Sequence, residues 1–180
     1  AAGFNNIFIE TVGVGQSETA VHNLTDVFVL LVLANAGDEL QGIKRGIMEM
    51  ADIVVINKSD GSQKDLTTSA IATYRNALHL FPAKSNGWTA KVLGVSSIKN
   101  VGIDKVWNSI EDYFSHCINN GTLNSHRSSQ QSYWMNKAIE DILIAQFYSD
   151  PNNNQRKKEL EKKVQLGELN PFEAARKLVG

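Results

Sequence analysis

The stretch Ile53-Val54-Val55-Ile56-Asn57-Lys58-Ser59-Asp60 decides the fold of this 180-residue chain. Its first four residues are all β-branched, which suits a strand. They do not alternate with polar residues, so the strand reads as buried on both faces, as in a parallel sheet. It ends abruptly in four polar residues. That is where parallel α/β sheets hold ligands, outside the carboxyl ends of their strands. Working outward, three further apolar runs read as strands: Ile7–Ile9, Val27–Leu33 and Lys91–Val95. Helical patterns lie over Leu40–Met50, Leu66–Phe81 and Ile103–Cys117. In the last of these, Val106, Trp107, Ile110, Tyr113 and Phe114 fall at helical spacing. Strand–helix alternation of this kind predicts an α/β fold with right-handed crossovers.

Beyond the third helical pattern the character of the sequence changes. Asn119–Ser129 is rich in Asn, Ser and Gly and reads as a linker. Tyr133, Trp134, Ala138, Ile142, Leu143 and Phe147 then mark one helix, which Asp150-Pro151-Asn152-Asn153-Asn154 breaks. Gln155–Leu166 predicts a charged helix capped by Gly167. Asn170 at the N-cap and Pro171 at the first position open a last helix, Phe172–Val179. The expected organisation is an α/β domain over 1–118 and a linker with an all-helical extension over 119–180.

Composition narrows the function classes. Eighteen Lys and Arg against nineteen Asp and Glu leave a net charge of −1, with no basic field to attract nucleic acid. A single cysteine, Cys117, excludes a disulfide framework and favours a cytoplasmic setting. The longest apolar run, Val27–Leu33, is too short to span a membrane. His22, His79, His116 and His126 are scattered without ligand spacing, so no metal site built on Cys and His is expected.

Asn57-Lys58-Ser59-Asp60 carries the strongest chemical signal. An aspartate at a strand end can accept hydrogen bonds from the ring N–H and the exocyclic amino group of guanine. Adenine has no such paired donors. The asparagine can brace the loop and reach the purine, and the lysine stem can cover its face. The bland alternative is a strand-end turn built on Asp60-Gly61. Ser96-Ser97, after the strand Val92–Val95, supports the first reading. A backbone N–H there can face the guanine carbonyl, and a hydroxyl can hold the base-reading aspartate. Glu10-Thr11-Val12-Gly13-Val14-Gly15-Gln16 follows the first strand. A carboxylate there can order a magnesium-bound water, and the glycines let a backbone N–H approach a phosphate. Taken alone, it is also an ordinary glycine loop. Gly37-Asp38-Glu39-Leu40-Gln41-Gly42-Ile43-Lys44-Arg45-Gly46 reads by composition as a polar loop entering an amphipathic helix.

Together and in this order, these strings resemble the G-protein chaperones associated with methylmalonyl-CoA mutase, also labelled lysine/arginine/ornithine (LAO/AO) transport kinases. The residues that carry the likeness are Glu10–Glu18, Gly37–Gly46, Ile47–Asp52, Asn57–Gly61 and Gly167–Leu178, so it covers essentially the whole chain. The resemblance implies an incomplete P-loop NTPase-type parallel α/β sheet of the signal-recognition-particle and MinD-like (SIMIBI) class, with a C-terminal all-helical extension. It implies GTP and GDP as ligands, Mg²⁺, and a homodimer formed through the helices. The implied partner is an adenosylcobalamin-dependent acyl-CoA mutase, in the cytoplasm or the mitochondrial matrix, with no nucleic acid and no membrane. Carried over by position, Glu10, Gly13 and Lys44 are the candidate catalytic residues, Glu10 acting on the metal through water. Val14, Gly15 and Gln16 would belong to one switch, and Asp38, Glu39, Gln41 and Lys44 to another. Asn57, Lys58, Asp60, Ser96 and Ser97 would read the base.

The chain also departs from that pattern. No Gly-Lys-Ser or Gly-Lys-Thr occurs, so the phosphate-binding lysine and the metal-ligating hydroxyl are missing from the string. On this reading the chain is the C-terminal portion of such a protein and hydrolyses GTP poorly or not at all. The resemblance also places a further strand between those matching Ile7–Ile9 and Val27–Leu33. Without it, both neighbours would have free edges and the isolated piece would be unstable. The rival reading is a non-catalytic module that only dimerises or binds the mutase.

Overall fold

A computed structural model describes residues 3–11, 17–33, 45–60 and 64–180. Their elements are α1 (Ser17–His22), β1 (Val29–Leu33), α2 (Arg45–Met50), β2 (Ile53–Asn57), α3 (Lys64–His79), β3 (Lys91–Gly94), α4 (Ile103–Asn119), α5 (Thr122–Ser149), α6 (Pro151–Gln165) and α7 (Pro171–Val179). The three strands form one parallel sheet in the order β1-β2-β3, with Leu30 opposite Val54 and Val54 opposite Val92. The expected α/β class and parallel sheet are therefore present.

The sheet is sandwiched as the apolar runs require. Val54 and Ile56 face a cluster with Ile47 and Met48 of α2 and Tyr74 of α3. Ile53 and Val55 face the other way, against Val106 and Ile110 of α4. Side chains alternate across a strand, so a strand covered on both faces needs apolar residues at every position. β2 meets that condition, and Ile53, Val54 and Ile56 are fully buried.

Two expectations fail here. Ile7–Ile9 lies in no strand, and Phe8 is 80% exposed. An apolar run becomes a strand only where neighbours satisfy its N–H and C=O groups, and no described strand lies beside it. β1, for its part, is buried on one face only. Leu30 and Val32 are in the core, while Leu31 is 68% exposed.

The expected linker is also mostly helix. Only Asn120 and Gly121 form a turn before α5 begins at Thr122. The Asn120 side-chain oxygen accepts hydrogen bonds from Thr122 N–H at 3.0 Å and its hydroxyl at 2.6 Å, as a helix-capping asparagine does. The first turns of α5 are tied to the segment after α1. Arg127 makes a two-bond contact with Asp26, both 2.7 Å, and the Gln130 amide donates to the Thr25 carbonyl at 2.8 Å. Ser and Asn mark this stretch because it caps and decorates a helix.

The chain separates into two compact units, 1–130 and 131–180. In the second, α6 starts at Pro151, four residues before the sequence expectation, because the Asp150 carboxylate accepts from Asn152 N–H at 2.8 Å and caps it. Gly167 adopts φ 72° after α6, and Asn170 caps α7 with Pro171 in its first turn, both as expected. Arg156 of α6 donates to the Lys177 carbonyl of α7 at 2.6 Å. Ile139, Ile142, Leu143 and Ile144 of α5 remain exposed. No helix of the described residues is long and apolar enough to cross a membrane.

Candidate functional site

The candidate site lies at the carboxyl ends of β2 and β3. These ends are joined by backbone bonds that continue the sheet into its loops. Val95 N–H donates to the Ile56 carbonyl at 2.8 Å, and Ser59 N–H donates to the Val95 carbonyl at 2.9 Å. The Ser59 hydroxyl returns to the Ile56 carbonyl at 2.8 Å. Lys58, between Asn57 and Ser59, adopts φ 61°. That left-handed conformation is costly for a lysine and persists only where the surroundings impose it.

Asn57 and Asp60 each reach across to the second loop. The Asn57 side-chain oxygen accepts three hydrogen bonds: from Lys58 N–H at 2.8 Å, Ser97 N–H at 3.2 Å and the Ser97 hydroxyl at 2.7 Å. One Asp60 oxygen, Oδ1, accepts from the Ser96 hydroxyl at 2.8 Å. Ser96 is 2% exposed, and its own oxygen accepts from Lys99 N–H at 3.2 Å. A hydroxyl that accepts on one side is oriented to donate on the other, so Ser96 fixes the direction of the Asp60 carboxylate. The other oxygen, Oδ2, faces the Lys99 ammonium at 3.8 Å, an ion pair beyond hydrogen-bond length.

The second loop is itself rigid. Ser96 and Val101 exchange both N–H···O=C bonds, each 3.0 Å. Asn100 turns the chain at φ 52°. Gly102 takes φ 78°, and a Cβ there would stand 2.9 Å from the Gly94 carbonyl. Gly94 is similarly confined, since a Cβ on it would meet Thr67 and Ile71 of α3 and the Ser59 hydroxyl. Both glycines let the two loops lie directly on the strand ends.

The structure thus brings together Asn57, Lys58, Asp60, Ser96 and Ser97. Ser97 N–H, expected to face a carbonyl of the base, is donated to Asn57 Oδ1 at 3.2 Å. As the longest of the three bonds at that oxygen, it is the one an incoming carbonyl would compete for. Lys99 was missed, because a lysine in a polar loop reads as a solvated charge. Glu10 is exposed and lies in no ladder. Gly13, Val14, Gly15, Gln16, Asp38, Glu39, Gln41 and Lys44 lie outside the described residues. Among the described residues, no group of three His, Cys, Asp or Glu side chains could hold a metal ion.

A cleft of about 450 Å³ opens near the other end of β2, lined in part by His22, Asp52, Lys84, Tyr113 and His126. Two of its charged groups are matched to each other. Lys84 pairs with Asp52 and donates to the Met50 carbonyl, and Asp52 accepts from Phe28 N–H at 2.9 Å. Burial, reinforced by nearby Asp52, raises the Tyr113 hydroxyl pKa. Burial also holds the His22 imidazole below its ordinary value, against the opposing pull of Asp52. Trp88 packs edge-on against Tyr113 beside it and donates to the Asp52 carbonyl at 3.0 Å. These contacts fasten α4 to the base of the sheet.

Comparison with known proteins bears on the family and the fold. The family described as "Methylmalonyl Co-A mutase-associated GTPase MeaB" matches residues 1–152. A probable GTPase of Mycobacterium tuberculosis is 40% identical over 179 residues, covering 99% of this chain and 53% of the relative. The mitochondrial methylmalonic aciduria type A homolog of Mus musculus is 41% identical over 173 residues, covering 96% of this chain and 42% of the relative. A solved structure described as a LAO/AO transport system kinase superposes with a TM-score of 0.78 at 34% identity, covering 98% of this chain and 57% of the other. The chain therefore spans about half the length of the curated relatives it matches.

Proposed function

Because the chain belongs to the methylmalonyl-CoA mutase-associated GTPase family, we propose that its 57–60 and 96–99 loops form the base-reading half of a site for GTP and GDP. The observation that carries this reading is the 2.8 Å bond from the buried Ser96 hydroxyl to Asp60. It holds a carboxylate in one orientation at a strand end. A guanine offers its ring N–H and its 2-amino group side by side, and a fixed carboxylate accepts from both. Each acceptor oxygen has two lone pairs, so Oδ1 can serve Ser96 and the base together. Asn57 holds the opposing loop at the distance set by Ser97, and the Lys58 stem is exposed beside it.

The wider reading rests on the family. The full-length family protein is a GTPase that assists an adenosylcobalamin-dependent mutase of the methylmalonyl-CoA type, and this chain, which carries no Gly-Lys-Ser or Gly-Lys-Thr, hydrolyses GTP poorly or not at all. Mg²⁺ accompanies the nucleotide, and Glu10 acts on it through water. Gly13 and Lys44 serve the phosphate chemistry. Residues 14–16 and 38–44 respond to the nucleotide and the partner, and two copies associate through the helices of 119–180. The exposed Ile139, Ile142 and Leu143, which share one face of α5, support the last point, since an apolar row of this kind favours a partner surface. The same row supports the second reading, a module that dimerises or binds the mutase without catalysis.

Asp60→Asn separates the two. An amide at this position loses one acceptor and presents a donor to the 2-amino group. The preference for guanosine over adenosine diphosphate should fall about tenfold or more, in line with the ~1–3 kcal/mol of a two-bond base contact. An unchanged preference in an equilibrium titration removes the guanine reading and leaves the module.

A further inference from the structure

We propose that His126 and Gln130 of α5 form a proton-operated clasp on the Thr25 carbonyl, in which the charge state of the imidazole decides which of the two side chains holds that carbonyl. The clasp involves none of the nucleotide-loop residues.

Three groups meet at this point, and their distances do not suit a single protonation state. The Gln130 amide nitrogen lies 2.8 Å from the Thr25 carbonyl and 3.0 Å from His126 Nε2, and Nε2 lies 3.2 Å from the same carbonyl. A carbonyl only accepts and an amide NH₂ only donates, whereas an imidazole nitrogen accepts when bare and donates when it carries a proton. Toward Gln130, Nε2 must be bare. Toward Thr25, it must carry a proton. With the ring neutral and its proton on Nδ1, Gln130 bonds both the carbonyl and the ring. Gln130 selects that tautomer, because the other costs it both bonds. With the ring charged, Nε2–H donates to Thr25 and faces the Gln130 amide donor. Turning the amide over only sets its oxygen against the Thr25 carbonyl. Gln130 therefore leaves, and its 3.5 Å contact with the His22 carbonyl goes with it. The Thr25 carbonyl has a donor in either state, so the exchange strands no acceptor.

The clasp fastens α5 to the segment that closes α1. Thr25 N–H and its hydroxyl both donate to the Val21 carbonyl at 3.1 Å. One position on, Asp26 takes the two 2.7 Å bonds from Arg127. Arginine keeps its charge throughout, so that pair is the fixed point and Gln130 the catch that releases.

The charged groups around the ring are mostly paired. Asp26 meets Arg127, and in the cleft that His126 lines, Asp52 meets Lys84. Glu49 and Tyr113 line the same cleft; the carboxylate favours a charged ring, and burial keeps the tyrosine uncharged. His22 of α1 stands edge-on at 6.0 Å between ring centroids, and a proton there opposes one on His126. Burial holds His22 below its ordinary value, so it stays neutral through the upper part of the histidine range.

The test is a pH titration of the 180-residue chain by nitrogen NMR, reading the His126 ring nitrogens and the Gln130 side-chain amide together. The Gln130 amide should shift with the midpoint of the His126 ring. Once the ring is charged, and after correction for the intrinsic pH dependence, its hydrogens should exchange about three- to tenfold faster, the worth of one ordinary hydrogen bond. His126→Phe takes no proton and should hold the Gln130 signals still through the same range. A Gln130 amide that stays unmoved while the His126 ring titrates would overturn the proposal. The same shift in His126→Phe would overturn it too, by assigning the change to another group. Should that variant unfold, the comparison of the two midpoints in the unsubstituted chain still decides.

Discussion

Ile7-Phe8-Ile9 and Ile53-Val54-Val55-Ile56 are nearly the same kind of sequence and have opposite fates. The second is paired on both sides, Val54 with Leu30 and with Val92, and lies wholly in the core. The first lies in no strand, pairs with nothing described and exposes its phenylalanine. Apolar, β-branched composition sets a preference for strand of about 1 kcal/mol or less per residue, whereas an unsatisfied backbone group costs as much or more. Neighbours therefore decide. β1 stands between the two cases: paired on one edge, buried on one face and open on the other.

Parallel truncations put the comparison at risk most directly. Ile56→Ala should destabilise the chain by ~2–5 kcal/mol in urea unfolding, since it empties a fully buried position. Ile7→Ala, at an exposed position, should stay within about 0.5 kcal/mol. Similar costs for the two would mean that Ile7–Ile9 is packed as a strand after all.

A smaller effect sharpens the comparison at the site end of β2. Gly102→Ala forces a Cβ into the left-handed region and against the Gly94 carbonyl, 2.9 Å away. The expected loss is ~1–3 kcal/mol. It should be accompanied by altered amide signals of Ser96 and Ser97, because those residues share the loop. A loss of stability without change at Ser96 and Ser97 would separate the loop's strain from the site.

The smallest effect is a pH dependence at the foot of the sheet. Burial beside Phe28 and His126 lowers the pKa of His22. The folded state therefore prefers the neutral ring, and the unfolded chain takes up the proton first. The stabilisation is complete above the ordinary value of 6.5 and is lost as pH falls below it toward the lowered value. Denaturation midpoints should decline through that window, and His22→Phe should flatten the decline. An equal decline in the variant would assign it to other groups.

Much of this was legible because single residues carried the signal. Adjacent Val54 and Val55 point to opposite faces and so suit a strand covered on both, and Asn170-Pro171 suits a helix start. The link from Asp60 to Ser96 spans 36 residues, and that from Asn57 to Ser97 spans 40. The first could be anticipated because both loops end adjacent parallel strands; the second could not, because an asparagine beside a serine does not state which of them meets the other. Ile7–Ile9 misled because a run of apolar residues does not state whether partners exist. Asn119–Ser129 misled because the same Asn and Ser that suit a linker also cap a helix, as Asn120 does. Lys99 carried no local signal, since its meaning comes only from the carboxylate 3.8 Å away.

The central claim is that a purine edge docks between Asp60 and Ser97. Its most direct test is a map of backbone and side-chain amide shifts during titration with guanosine and adenosine diphosphates. The account expects the guanosine nucleotide to move the Ser97 backbone amide and the Asn57 side-chain amide first, with the adenosine nucleotide leaving both in place. Equal shifts with the two nucleotides, or guanosine shifts centred on the Asp52–Lys84 cleft, would contradict it.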